Sequence, residues 1–337
     1  MVKPGPRNLI TDVPGIKVGQ AQDAGVRTGV TLILPDKPAV AACDIRGGGP
    51  GTRETDALTA DTLVTQADAI VLSGGSVYGL AAADGVAAWL GAQGRGFAMA
   101  PRPGVPPSPI VPAAILFDLA NGGNKAWGLE PPYRKLGIAA AEAAGVVFAL
   151  GTAGAGYGAM SGRIKGGIGS ASIVDDEGFS VGAIVAVNSF GSTLAPDGKS
   201  FWAAPFEIED EFGRFGTSAL QADPGAFWTK AIPVAARENT TIACVATDAA
   251  LTQAEAKRFA QMACAGFARA IRPVFSPFDG DAVFALATGA REMPAQRNAT
   301  LARLGAFAAD CLARAIARGV HEASPWPDAL VETYRNG

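Results

Sequence analysis

Residues 238–246 read Glu238-Asn239-Thr240-Thr241-Ile242-Ala243-Cys244-Val245-Ala246, a polar junction that opens onto an unbroken apolar run. Small and β-branched residues in such a run are the pattern of a buried strand, expected here over residues 240–247. Side chains alternate along a strand, so Thr240, Ile242 and Cys244 share one face while Thr241 points to the other. Only one of the two threonines can therefore face a given pocket. Upstream, residues 196–238 carry Pro196-Asp197-Gly198, Pro205, Asp223-Pro224-Gly225 and Pro233. This turn-rich stretch is expected to form a long surface excursion that ends at the junction.

A histidine base is scarce in this chain. It has one, His321, near the C-terminus among Gly319, Glu322, Pro325 and Pro327. A Ser-His-Asp or Cys-His machine would have to recruit that residue. The remaining route to an activated hydroxyl is a threonine whose own α-amino group is the base. An internal threonine has no free amine, so this route requires the chain to be cut immediately before it. Asn239-Thr240 is the position expected for the cut.

The bulk composition narrows the partners. At 337 residues the chain suits about two domains of ~150 residues or one large two-sheet domain, and its 49% apolar content supplies a large core. The net charge of −3 provides no basic stripe to neutralise phosphates, so no nucleic-acid partner is expected. The apolar runs are far shorter than the ~20 residues of a membrane helix. Met1-Val2-Lys3-Pro4-Gly5-Pro6 lacks an apolar secretory core, which points to a cytoplasmic protein. Cys43, Cys244, Cys264 and Cys311 are scattered without a C-x-x-C spacing and read as small buried hydrophobes, not as a zinc site or disulfide frame.

Strand patterns occur at 16–19, 30–34 and 40–44, separated by turn residues in the manner of a meander, and again at 69–72. Ser73-Gly74-Gly75 leads from the last of these into an alanine-rich helix over about 78–90. A second helix is predicted over 133–144, with further strands at 146–150, 169–174 and 181–187. Beyond the junction, Thr252-Gln253-Ala254-Glu255 is a capping-box pattern starting a helix to about 271. A strand at 282–287 and a helix over about 300–317 follow. Consecutive strands mixed with small-residue helices fit two facing sheets with helices outside better than a doubly wound sheet.

Other motifs carry competing readings. Phe278-Asp279-Gly280-Asp281 contains a hairpin-turn dipeptide, and its functional alternative is a carboxylate pair near a catalytic amine. The glycine-rich segments 47–51, 73–76 and 151–158 invite a phosphate-loop reading, but none fits G-x-x-x-x-G-K-[ST] or G-x-G-x-x-G. Lys165, Asn188 and Tyr78 read, each alone, as a surface lysine, a strand-end residue and a packing aromatic.

Together these residues resemble the self-processing aminopeptidase/amidase family that includes L-aminopeptidase D-alanyl-esterase/amidase, the β-peptidyl aminopeptidases and the nylon-oligomer (6-aminohexanoate-oligomer) hydrolases. The likeness runs through Asn8-Leu9-Ile10-Thr11-Asp12-Val13-Pro14-Gly15, Asp44-Ile45-Arg46-Gly47-Gly48 and Ser73-Gly74-Gly75-Ser76-Val77-Tyr78-Gly79-Leu80. It continues through Gly154-Ala155-Gly156, Lys165-Gly166-Gly167, Asn188, Asn239-Thr240-Thr241-Ile242 and Asp279-Gly280-Asp281. The aminopeptidase branch often has serine as nucleophile, and Asn-Thr with Asp-Gly-Asp is closer to the nylon-oligomer branch.

The resemblance implies a four-layer αββα sandwich, similar to N-terminal-nucleophile hydrolases with altered strand connectivity, as one domain over 1–337. It implies self-cleavage into an α chain 1–239 and a β chain 240–337, with Thr240 as nucleophile. Tyr78, Lys165 and Asn188 would line the site, Asn188 as oxyanion donor, and Asp279 and Asp281 would assist the nucleophile. Small peptides or oligoamides are the implied substrates, no metal or organic cofactor is required, and the implied assembly is a homo-oligomer, a tetramer of αβ units. The rival expectations are a nucleotide-dependent enzyme using the glycine loops and a non-catalytic binding protein on the same scaffold.

Overall fold

A computed structural model describes residues 2–99, 102–213, 239–328 and 331–336. The turn motif Asp223-Pro224-Gly225, Pro233 and Glu238 lie outside them. In chain order come β1 (Ile16–Asp23), β2 (Thr28–Pro35), β3 (Ala39–Ile45), β4 (Thr52–Arg53), β5 (Gln66–Ala67), β6 (Ile70–Ser73), α1 (Ala81–Ala92), β7 (Ala113–Ile115) and α2 (Tyr133–Glu142). Then follow β8 (Met160–Ser161), β9 (Ile164–Lys165), β10 (Gly167–Val174), β11 (Ser180–Asn188), β12 (Thr240–Ala249), α3 (Gln253–Ala263), α4 (Ala265–Ala270), β13 (Ala282–Arg291) and α5 (Arg297–His321).

Two large sheets result, ordered β1-β2-β6-β7-β4 and β10-β11-β12-β13-β3-β5. Period-two alternation builds three cores from them. Ile33, Ile70 and Leu72 of one sheet meet Ile184, Ile242, Cys244 and Phe284 of the other in a core between the sheets. Val30, Leu32 and Val71 face outward against Val86 and Leu90 of α1 and Ala140 of α2. Val185, Ala243, Val245 and Val283 face Phe259, Phe267, Leu312 and Ile316 of α3, α4 and α5. The layers therefore run helix, sheet, sheet, helix, the αββα order the resemblance implied.

β12 holds the central place. It pairs antiparallel with β11, Asn188 opposite Thr240, and parallel with β13 through the crossover of α3 and α4. Thr252 and Glu255 cap each other at the start of α3, as their spacing predicts, with the Glu255 amide donating to Thr252 Oγ1 at 3.3 Å and the Thr252 amide to Glu255 Oε2 at 2.8 Å.

Several expectations change. β1, β2 and β3 are no meander: β3 leaves its neighbours and pairs with β13 and β5 in the other sheet. Residues 146–150 form no strand. The Gln20 side chain takes both the N–H and the carbonyl of Ala149, groups a ladder would have used, and Val147 is 76% exposed. The helix expected over 252–271 is two helices meeting at Cys264. The described part of the 196–238 excursion is not wholly superficial, because Phe201 and Phe212 stack edge to face within the helix-side core. Asp279-Gly280 makes no hairpin, since the chain reaches it from helix α4 and the strand it leads into pairs parallel with β12 and antiparallel with the distant β3.

Helix α5 lies flush on β10 because Gly169 presents no side chain: a Cβ there would sit 1.7 Å from the Ala315 carbonyl oxygen. Gly169→Ala is therefore expected to destabilise the protein by about 1–3 kcal/mol through overpacking. A thermal unfolding midpoint equal to the wild type's would refute that packing.

Candidate active site

Thr240 begins β12, and alternation turns its side chain, with that of Ile242, toward the space between the sheets. Thr241 points to the helix layers, as the sequence required. Parallel pairing with the β13 strand starts one residue earlier, at a bridge between Asn239 and Asp279. There the Gly280 amide donates to the Asn239 carbonyl oxygen at 3.0 Å. The Thr240 hydroxyl donates to the same oxygen. Glycine is required at 280, since a Cβ would come within 2.7 Å of Thr240 Oγ1 and 2.8 Å of the Gly49 carbonyl. Thr240 is 2% exposed and Asn239 fully buried, and neither amide atom of the Asn239 side chain has a partner among the described residues.

The two aspartates hold backbone around this junction. Asp281 accepts from the amides of Thr241 at 2.7 Å and Phe275 at 3.2 Å. Asp279 accepts from the Phe190 amide at 3.1 Å, and from the amide and hydroxyl of Ser276 at 3.1 and 2.6 Å. Burial, and then the Asp279 charge, push the Asp281 carboxyl well above the usual carboxylate range.

Asn188 faces the inter-sheet side directly across from Thr240. Its amide is oriented from both ends: Oδ1 accepts from the Met160 amide at 2.9 Å and Nδ2 donates to the Phe117 carbonyl at 3.1 Å. Lys165 is not the surface lysine that its sequence setting suggests. It is fully buried, and its ammonium donates to the carbonyls of Gly156, Ala159 and Gly166 at 3.0, 3.0 and 2.8 Å. Burial lowers its pKa to about 7, with the Asp118 charge opposing part of the shift. Tyr78 stands further out, 46% exposed in a 3₁₀ turn over Ser76–Leu80, its ring edge-on to Trp127 at 5.5 Å.

Thr240, Asn188, Asp279 and Asp281 thus come together at adjoining strand ends, Lys165 lies beneath the loop that feeds Asn188, and Tyr78 lies half-exposed in the turn after β6. Sequence reasoning missed the Gly280 amide and Asp118. The first was visible only as the glycine of Asp-Gly-Asp, and the second had no motif around it. The glycine loops have their amides engaged internally: Gly47 bonds the Asp281 carbonyl, Gly48 that of Ser276 and Gly49 that of Asp279. His321 lies at the far end of α5, against Glu322 and Arg335. Among the described residues no group of three His, Cys, Asp or Glu side chains is placed to hold a metal, and no helix is long and apolar enough to cross a membrane.

The profile of peptidase family S58 matches residues 8–329. An uncharacterized aminopeptidase of Mycobacterium tuberculosis is 44% identical, over 98% of this chain and 97% of its own. The 6-aminohexanoate-oligomer endohydrolase of a Kocuria species is 27% identical, over 89% of this chain and 80% of its own. The solved structure of L-aminopeptidase D-Ala-esterase/amidase from Ochrobactrum anthropi, a variant of the Ntn-hydrolase fold, covers 99% of this chain and 93% of its own with a TM-score of 0.71. At 21% identity that likeness is one of fold. With a family match across nearly its whole length and the fold to go with it, the chain belongs to peptidase family S58 and is a hydrolase of peptide or amide bonds.

Proposed function

We propose that the chain severs itself between Asn239 and Thr240 and that the freed Thr240 is the nucleophile of an amidase acting on small peptides or oligoamides. The observation that carries this reading is the convergence on one carbonyl: the Asn239 oxygen accepts both from the Gly280 amide and from the hydroxyl of the residue that would attack it. In the cleavage step Thr240 Oγ adds to the Asn239 carbonyl carbon, and the Gly280 N–H stabilises the charge that develops on its oxygen. The hydroxyl proton passes to the departing Thr240 nitrogen, the C–N bond breaks and an ester remains. Water then hydrolyses the ester, leaving an Asn239 carboxylate and a free Thr240 amine, with an α chain 1–239 and a β chain 240–337.

A free α-amine has a reference pKa of about 7.7–8.0, so a useful fraction is neutral near pH 7 and can accept the hydroxyl proton. Thr240 Oγ then attacks the substrate amide. The amine carries the proton to the leaving nitrogen, and water releases the acyl group. Asn188, across the strand pair, is the oxyanion donor for this second reaction. Asp281 and Asp279 act through the backbone, gripping the Thr241 and Phe190 amides so that the new terminus stays in register. The higher identity to proteins named aminopeptidases than to the endohydrolase favours release of an N-terminal residue. Aminoacyl p-nitroanilides with free and blocked amines separate the two modes.

Wild-type protein on a denaturing gel is expected as two fragments and Thr240→Ala as one chain of 34.1 kDa without activity. A catalytically active wild type running as one band would end this reading. Asn188→Ala is expected to lower kcat by roughly 10²–10³, the usual cost of one oxyanion donor. A kcat within twofold of wild type would remove Asn188 from the mechanism.

Lys165 makes a pH-dependent contribution. Between about pH 7 and the unfolded lysine's pKa of about 10.4, the unfolded chain holds a proton that the folded one has released. Stability therefore rises with pH in that window, by up to about 1.4 kcal/mol per unit. In the uncleaved Thr240→Ala background, urea unfolding at two pH values in the window should show this gain, and Lys165→Met should lose it. An equal gain in both proteins would refute the burial argument.

A further inference from the structure

Asp118 follows β7 and is fully buried. Its carboxyl accepts from the Thr28 hydroxyl at 2.7 Å and from the Gly75 amide at 2.8 Å. The chain makes room for it, since a Cβ on Gly74 or Gly158 would lie 2.2 or 2.5 Å from Asp118 Oδ2. The loop 156–159 is thereby held from two sides. Gly158 packs on the Asp118 carboxyl, while the Lys165 ammonium draws in the carbonyls of Gly156 and Ala159.

Two partners of the Asn188 amide are bonded neighbours of these anchored points. Phe117, whose carbonyl accepts from Asn188 Nδ2, directly precedes Asp118. Met160, whose amide donates to Asn188 Oδ1, directly follows Ala159. We propose that Asp118 and Lys165 form a positioning frame for Asn188, two buried polar groups whose hydrogen bonds and packing pin the peptides on either side of its amide and so aim its nitrogen at the reaction centre. The proposal rests on the reading of Asn188 as oxyanion donor. Asp118 is a positioning residue in it and touches no reacting atom. Burying a carboxyl and an amine is costly, and a frame that fixes an amide plane gives that cost a function.

A double-mutant cycle tests it. Asp118→Asn keeps shape and replaces one acceptor oxygen with an amide NH2, so that one of the donors from Thr28 and Gly75 loses its acceptor. It is assayed for kcat and KM on a p-nitroanilide, in processed protein checked by gel, with Asn188 intact and with Asn188→Ala. With Asn188 present, Asp118→Asn is expected to lower kcat about 10-fold with KM within about twofold, and in the Asn188→Ala background to change kcat less than about twofold. An equal loss in both backgrounds, an unchanged kcat or a change confined to KM would overturn the frame. Should Asp118→Asn not accumulate as processed protein, Thr28→Val removes one donor to the carboxyl and leaves the carboxyl in place. It is expected to give a smaller kcat loss that likewise vanishes without Asn188, and the same results would overturn the frame. If Asn188→Ala alone keeps full activity, the oxyanion reading fails and the frame with it; if it loses activity and the cycle is additive, the frame alone fails.

Discussion

The hydrogen bond from the Gly280 amide to the Asn239 carbonyl sets where the parallel ladder of β12 and β13 begins. Everything at the site follows from that starting point. It places Asn239 just outside the strand and Thr240 just inside, so one side chain faces the helix layers and the next faces the space between the sheets. It also brings Asp281 beside the Thr241 amide and leaves Thr240 opposite Asn188 on the antiparallel side. A slip of one residue would turn the hydroxyl to the wrong face of the sheet. The close fit of Gly280 against Thr240 Oγ1 is part of the same constraint, because any side chain there would occupy the hydroxyl's place.

Much of this layout was legible. The alternation from Thr240 to Cys244, the capping box at Thr252 and the buried strands β10, β11 and β13 follow directly from periodicity and local chemistry. What was not legible depends on contacts distant in sequence. The excursion of β3 into the second sheet leaves no mark in its own residues. The 146–150 run has a strand's composition, and only Gln20, more than a hundred residues away, shows why it forms no ladder.

The site shows the same division. Asn239-Thr240 and Asp-Gly-Asp could be found because each is a local pattern. Lys165 could be named only by resemblance, and its seating on three carbonyls inverts the surface setting that its neighbours suggest. Asp118 has no local pattern. Its proposed role rests on Thr28, Gly75 and Gly158, three distant segments meeting around one carboxyl. Loop glycines that looked available to bind phosphate instead serve to let backbone approach backbone, as Gly47 and Gly49 do over the Asp279–Asp281 turn.

The near-complete enclosure of Thr240 has a bearing on what the proposed cleavage would expose. Under the proposed cleavage the second amino terminus arises inside the fold, so enzymes that acetylate or trim emerging polypeptides would meet only the first one. The base of the reaction would be made in a compartment already shut to cellular modification, and its availability would depend on the shape of the protein instead of on the order in which other enzymes reach it.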